Sequence, residues 1–164
     1  MGDEAARETL IGQIEGVRER WRRLVADVGP DRLEEPGAMG EWTFKDVAAH
    51  LTAWRQRTVA RLGAAARGEP EPPPPWPAEL GGAEDDPINA WIHDQTKDRP
   101  AEELLAEADG IYDDFIAAVR ALPDDALTDP NRFPWADGEA LAHANFGGHL
   151  DEHEPDVRRW LGAA

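Results

Sequence analysis

Two histidines lie four residues apart near the end of the sequence, His149 and His153, within the segment NFGGHLDEHEPDVRRWL. Residues four apart share one face of an α-helix, with Cβ atoms about 5–6 Å apart, so two imidazoles at this spacing can bind one metal ion. The pair lacks the glutamate that directly follows the first histidine in the zinc-protease motif. By itself the spacing indicates a metal site only weakly, because paired surface histidines also arise by chance.

A third histidine, His50, lies in the segment EWTFKDVAAHLTAW, on or beside an apolar helical stripe. Taken alone, it is best explained as a core histidine that hydrogen-bonds to a carbonyl. Helix bundles project ligands inward from facing helices, so His50 and the later pair could form a site of three histidines. Three protein ligands leave a position open for water or substrate, which is typical of a catalytic metal site. The other histidines, His93 and His143, are interpreted as non-ligands.

Two polar neighbours of the histidine pair are candidate catalytic groups. Glu152 precedes His153 and could accept its hydrogen bond or relay protons. Asn145 precedes His149 by four residues, and on one continuous helix it would share that face and could orient a ligand or bind substrate. A solvated helix glutamate is the alternative for Glu152.

Three further residues are predicted to contact a substrate. Trp54 follows His50 by one helical turn and could form a wall of the pocket, and Tyr112, the only tyrosine, could donate its hydroxyl hydrogen. Arg57, together with Arg55 and Arg61, could form a cationic patch at the pocket mouth. The alternative for the two aromatic residues is packing in the core. The alternative for the arginines is a solvated position on the helix surface.

The elements that must position these residues are helices. Apolar residues at steps of three and four predict a first helix at about residues 3–28, which Gly29 and Pro30 end. Thr43 and Asp46 form a predicted capping box that opens a second helix at about 43–67.

The second half of the chain is predicted to contain a long connection, a short helix and two long helices. Residues 68–86 are rich in proline and glycine and predict a surface crossover, followed by a short helix at PINAWIHDQTK. Pro100 begins the third long helix, and the last is predicted at about 138–162. The chain 1–164 is therefore predicted to be one all-α domain, an antiparallel four-helix bundle with a long proline-rich crossover and a short extra helix.

Composition excludes several classes of function. The net charge of −17 disfavours nucleic-acid binding, because a phosphate backbone would be repelled. The chain has no cysteine, and therefore no disulfide, no thiolate ligand and no thiol nucleophile. It begins with acidic and polar residues and has no apolar run of membrane-spanning length, so we expect a cytoplasmic protein without membrane contact.

Three segments carry a resemblance to a known family. EWTFKDVAAHLTAW resembles the second-helix signature of the DinB-like superfamily, and NFGGHLDEHEPDVRRWL is similar to its last-helix segment. The asparagine, the two histidines, the glutamate and the closing Arg-Trp-Leu resemble the DfsB family in particular, the branch that includes colibactin self-resistance. INAWIHDQTKDRPAEELLAE also resembles that branch. Gly147 and Gly148 depart from the bulkier residues expected before the first histidine of the pair.

The resemblance implies an antiparallel four-helix bundle with a divalent metal held by His50, His149 and His153. It also implies a range of activities, since the superfamily includes thiol-dependent transferases and isomerases, and the DfsB family includes a hydrolase that opens a strained cyclopropane. Homodimers are common in the superfamily, so a homodimer is a further expectation. Zinc is the predicted metal, with nickel, iron or copper as alternatives.

Three functions are therefore predicted as alternatives. The first is a metal-dependent hydrolase or self-resistance enzyme that detoxifies a small electrophilic molecule, with Glu152 or Asn145 assisting. The second is an S-transferase or isomerase that uses a low-molecular-weight thiol such as mycothiol or bacillithiol, whose thiolate the metal would activate. The third is a protein that sequesters a toxic small molecule without turnover.

Overall fold

The computed structural model describes residues 2–80, 85–136 and 138–162. These residues form six α-helices: α1 Gly2–Val28, α2 Phe44–Ala66, α3 Asp85–Thr96, α4 Ala101–Ala121, α5 Asp125–Thr128 and α6 Gly148–Gly162. Within the described ranges there is no strand, only an isolated bridge between Met39 and Trp42. The predicted all-α class is confirmed. None of these helices is both long enough and apolar enough to cross a membrane.

The core forms along the apolar stripe that the sequence shows on α1. All six stripe residues are buried: Leu10, Ile14, Val17, Trp21, Leu24 and Val28. Trp21 stacks on Phe44 at the start of α2, with ring centroids 5.2 Å apart. Helices α4 and α6 each pack against both α1 and α2. The inner face of α2, which carries His50, therefore lies close to α6, which carries the histidine pair.

The start of α2 is fixed by the capping box that the sequence predicts. The Thr43 hydroxyl accepts a hydrogen bond from the Asp46 amide at 3.1 Å, and Asp46 Oδ2 accepts one from the Thr43 amide at 3.0 Å. Two amides that the helix leaves free are thereby satisfied. The cap fixes the direction of the helix that carries His50, and it holds the Asp46 carboxylate in one orientation.

Helix α3 is docked onto α2 after the proline-rich connection. Residues 81–84 of the predicted crossover 68–86 lie outside the described residues, and α3 begins at Asp85. Trp76 of the connection packs with Ile88 and Ile92 in a small apolar cluster of its own. The Trp54 indole donates a hydrogen bond to Asn89 Oδ1 at 2.9 Å. These contacts place one face of α3 beside the histidines.

The prediction of a last helix over 138–162 is wrong at its start, because α6 begins at Gly148. Gly138 has a φ of 81°, which interrupts a helix, and a short 3₁₀ turn covers Leu141–His143. Asn145 Oδ1 accepts a hydrogen bond from the Gly147 amide at 3.1 Å, a local turn that competes with helix.

Gly147 stands where a bulkier residue is expected, and packing explains why glycine is found there. A Cβ at this position would lie 3.2 Å from Val17 Cγ2, closer than ordinary van der Waals contact. Glycine therefore permits the start of α6 to approach α1 closely. That approach sets where the first turn of α6, with His149, lies against the rest of the protein.

We expect Arg7→Ala to lower the free energy of unfolding by about 2–3 kcal/mol, because Arg7 joins α1 to the end of α4. Arg7 is 7% exposed, and its guanidinium donates hydrogen bonds to the carbonyls of Val119 at 2.7 Å and Leu122 at 3.0 Å, and to Asp124 at 2.6 Å. Urea unfolding measures the effect. Arg23→Ala, an exposed position on the same helix, is the matched control. Equal effects of the two substitutions would contradict the role of Arg7.

Candidate functional site

Three histidine side chains meet between α2 and α6. His50 Nε2 lies 2.8 Å from His149 Nε2 and 3.2 Å from His153 Nε2. One ligand atom from each residue lies within 4.8 Å of the other two, so the three could hold one metal ion. We call His50, His149 and His153 the histidine centre.

The helices place these three rings by packing on either side of them. On α2, the neighbours Ala49 and Leu51 are buried, and His50 itself is 4% exposed. On α6, Leu150 and Val157 are buried and anchor the helix. The ring centroids of His149 and His153, one turn apart, lie 4.8 Å from each other. The two helices thus present their imidazoles to a common point.

Burial keeps the two inner histidines neutral. Desolvation lowers the pKa of His50 to about 4, with the charges of His153 and Arg55 adding to the effect and Asn89 opposing it. Desolvation also lowers the pKa of His149 to about 3, with His50, His153 and Arg55 contributing. Neutral imidazoles offer the lone pairs that a metal ion needs.

The outer histidine has a more balanced environment. Burial lowers the pKa of His153, while the neighbouring carboxylates of Glu152 and Asp156 raise it and partly offset that change. The lowered pKa makes this imidazole neutral at neutral pH as well. All three rings of the histidine centre are therefore available as ligands.

The chemistry of this donor set fits a divalent ion. Two nitrogens bound to one tetrahedral zinc ion lie about 3.3 Å apart. The 3.2 Å between His50 and His153 Nε2 is close to this value, whereas the 2.8 Å between His50 and His149 Nε2 is shorter, so those two rings would separate by about 0.5 Å to hold the ion. A neutral imidazole carries a single N–H, so hydrogen bonding among three facing Nε2 atoms satisfies them poorly. The His50 Nδ1 atom is buried without a hydrogen-bond partner in the described part of the chain. A cation bound among the three Nε2 atoms would satisfy those three nitrogens.

The histidine centre lies in a cleft with a volume of about 970 Å³. Two of the predicted site residues, Glu152 and Trp54, line this histidine cleft together with the three histidines. The other lining residues are Met39, Trp42, Thr58, Asp85, Asp86, Asn89, Ala90, His93 and Asp156. The cleft thus combines two indole walls with several carboxylates.

Three predicted site residues do not line the cleft. Asn145 is exposed and precedes α6, so the expectation that it shares a helix face with His149 is wrong. Tyr112 is buried in the core, 2% exposed. Arg57 lies over the Trp76 ring, 5.1 Å from its centroid.

The predicted cationic patch is not formed at the cleft either. The Arg55 guanidinium is buried against the face of the Tyr112 ring, 4.8 Å from its centroid, and burial lowers its pKa. Neither terminal nitrogen of Arg55 has a hydrogen-bond partner among the described residues. Arg61 pairs with Glu71 at 2.6 Å and lies over Trp135. The arginines of α2 therefore face the core or the proline-rich connection.

Comparison with known proteins supplies the family. A family model described as the DinB superfamily matches residues 13–154, which include all three histidines of the centre. The chain belongs to the DinB superfamily. A crystal structure of an uncharacterised protein from Escherichia coli UTI89 is similar to this DinB-superfamily chain in fold, with a TM-score of 0.53 and 14% identity. The likeness covers 95% of this chain and 92% of that one. No protein of curated function matches the sequence.

Sequence reasoning on this DinB-superfamily chain missed several residues of the cleft. Trp42 precedes the cap of α2, and its ring lies edge-on to His50, with centroids 5.6 Å apart. Asn89 and Asp86 come from α3. Residues 81–84 and the proline-rich connection separate α3 from α2, so no sequence spacing indicates that they meet. Trp42 could have been predicted, since it lies four residues before Asp46 in the motif that carries the family resemblance.

Proposed function

We propose that this DinB-superfamily protein is a metal-dependent hydrolase that acts on a small electrophilic molecule. The observation that carries the proposal is the meeting of three neutral imidazoles in an open cleft of about 970 Å³. Zinc is the proposed ion, by its general frequency in such sites, followed by nickel, iron or copper. When bound, the ion would act as a Lewis acid and lower the pKa of water.

The side chains of the cleft would divide the remaining work. His50, His149 and His153 would hold the ion through their Nε2 atoms. Glu152 lies beside His153 and lines the cleft, so its carboxylate could accept or relay a proton there. Trp54 provides an apolar wall that would bind the carbon skeleton of a substrate and reduce its contact with water.

The charge of the cleft favours hydrolysis over use of an anionic thiol. Its described lining carries four carboxylates and neither lysine nor arginine: Asp85, Asp86, Glu152 and Asp156. Such a surface favours a neutral or cationic substrate. An anionic cofactor would meet repulsion at the mouth, and the arginines that could have relieved it lie elsewhere. A detoxification or self-resistance role, which the resemblance to the DfsB family implies, belongs to this proposal.

Hydrolysis in ¹⁸O-water tests the proposal. We expect the zinc-loaded protein to add labelled oxygen to small electrophiles such as an epoxide, an activated cyclopropane or p-nitrophenyl acetate, as mass spectrometry would show. A chelator and the His149→Ala substitution should abolish this activity, whereas added thiol should not increase it.

Two other results would contradict hydrolysis and favour an alternative. A product that forms only with added mycothiol or bacillithiol, and that carries the thiol, would favour S-transfer. Unchanged electrophile bound at one equivalent per chain, without turnover, would favour sequestration.

A further inference from the structure

A histidine outside the histidine centre also lines the histidine cleft. His93, on α3, lies with its Nε2 atom 3.4 Å from Asp46 Oδ1. Asp46 is buried, and its other oxygen, Oδ2, accepts the amide hydrogen bond of Thr43. The capping box of α2 uses Oδ2, and Oδ1 lies beside His93. One carboxylate thus caps the helix and lies next to the imidazole.

An indole fixes the plane of the His93 ring. His93 stacks on Trp42 with an interplanar angle of 9° and ring centroids 5.7 Å apart. The same indole lies edge-on to His50, at 5.6 Å between centroids. His93 thus lies across Trp42 from the histidine centre and lines the same cleft, without belonging to the group that could hold the ion.

Both ends of α3 are fixed to α2, so His93 has a defined position. Asn89, one turn before His93, accepts the hydrogen bond of the Trp54 indole. Beyond the end of α3, the Lys97 carbonyl accepts one from Lys45 Nζ at 2.7 Å. Ile92 is buried between these points. A side chain held in this way is suited to a positioned chemical role.

We propose that His93 is the general base of the cleft and that Asp46 is its positioning residue. The proposal places the ring proton of His93 on Nε2, which lies 3.4 Å from Asp46 Oδ1, and leaves Nδ1 unprotonated and able to accept a proton. This proposal rests on the proposed hydrolytic function. In that reaction the oxygen of water forms a bond to the electrophilic carbon while Nδ1 takes one proton from that water. The bond to the leaving atom breaks with its electron pair, and the proton passes to that atom or to solvent.

His93 lies among several charged side chains. The groups that face it or lie near it come from α2, from α3 and from the residues next to them: Asp46, Asp86, Asp94, Lys45 and Lys97. Lys97 is paired with Asp94, and Lys45 is paired with Glu34.

The first test is independent of turnover. The chain has five histidines, so ¹⁵N spectra of labelled full-length protein are simple, and His93→Gln assigns the signal. We expect His93 in the Nε2–H tautomer, and we expect Asp46→Asn to shift it toward the Nδ1–H tautomer. The asparagine keeps an oxygen for the Thr43 amide, so the helix cap survives. An Nδ1–H tautomer in the unsubstituted protein would overturn the proposal.

The second test uses the zinc-loaded protein and p-nitrophenyl acetate as the probe. We expect His93→Gln to lower kcat about 100-fold with KM and zinc content unchanged, and to remove the acidic limb of the pH profile. Asp46→Asn should lower kcat less and move that limb. His143→Gln, at an exposed histidine outside the cleft, is the control and should change nothing.

The outcomes separate this proposal from the hydrolytic function. If His93→Gln changes kcat less than threefold, or leaves the acidic limb in place, His93 is not the base. If the unsubstituted protein loads zinc but does not hydrolyse the ester, the hydrolytic function fails for this probe and the base assignment falls with it. The tautomer measurement then still decides whether Asp46 orients His93.

Discussion

Replacing His149 by alanine is expected to abolish stoichiometric zinc binding. His149 is one of three imidazoles whose Nε2 atoms meet, and its own lies 2.8 Å from that of His50. Loss of one ligand of three should weaken zinc affinity on the order of 100-fold or more, since loss of an outer-shell partner alone costs 10–100-fold. Zinc at 100 times its Kd should stabilise the unsubstituted protein by about 2.7 kcal/mol. The variant should gain about 0.4 kcal/mol or less at the same concentration.

The control for this substitution is His143→Ala. His143 is exposed and lies only six residues before His149, outside the histidine centre. Zinc content by elemental analysis and the zinc-induced shift in Tm should match those of the unsubstituted protein. Equal zinc binding by both variants would contradict a site built on His149.

Acidification is expected to destabilise the metal-free protein as its buried histidines take up protons. The folded-state pKa values of His50 and His149 are lowered from 6.5 to about 4 and about 3. Above pH 6.5 these groups are neutral in both states and contribute no pH dependence. Below it the unfolded chain binds protons that the folded chain does not, so the free energy of unfolding falls as the pH falls. The slope is about 1.4 kcal/mol per pH unit for each histidine, on the order of 3 kcal/mol for His50 by pH 4.

Urea unfolding in a chelating buffer between pH 7 and 4 measures this effect. The matched variant is His50→Gln with His149→Gln, which keeps polar side chains but removes both titrations. The free energy of unfolding of this variant should depend less on pH over this range. The pH dependence that remains should come from the carboxylates. An unchanged slope would show that the two histidines are not buried in the neutral form.

The positions of the helices could be predicted where apolar spacing and capping residues indicated the same boundaries. The three–four spacing from Leu10 to Val28 placed α1, and the Thr43–Asp46 capping box placed α2 to within one residue. The start of α6 could not be found in this way, because the turn at Asn145 and the contact of Gly147 with Val17 depend on the fold. The antiparallel bundle arrangement, the single domain, the homodimer and the cytoplasmic location stay predictions.

For the site as well, local sequence patterns predicted some residues, whereas contacts between distant segments could not be predicted. The spacing of His149 and His153 and the apolar surroundings of His50 predicted the three residues that meet. The cleft around these histidines could not be predicted. Two of its residues, His93 and Asn89, lie on α3, and no local sequence pattern indicates where the long connection before α3 places that helix. Tyr112 and Arg57 were predicted as substrate contacts from their helical positions, but Tyr112 packs in the core and Arg57 on Trp76.

Anomalous diffraction from crystals grown with zinc tests the central claim most directly. Data collected on either side of the zinc absorption edge should show one peak per chain about 2.0–2.1 Å from the Nε2 atoms of His50, His149 and His153. The electron-density map from the same crystals would show whether Glu152 or His93 faces the open side of the ion. A zinc peak held only by surface carboxylates, or no peak among the three histidines, would contradict the account.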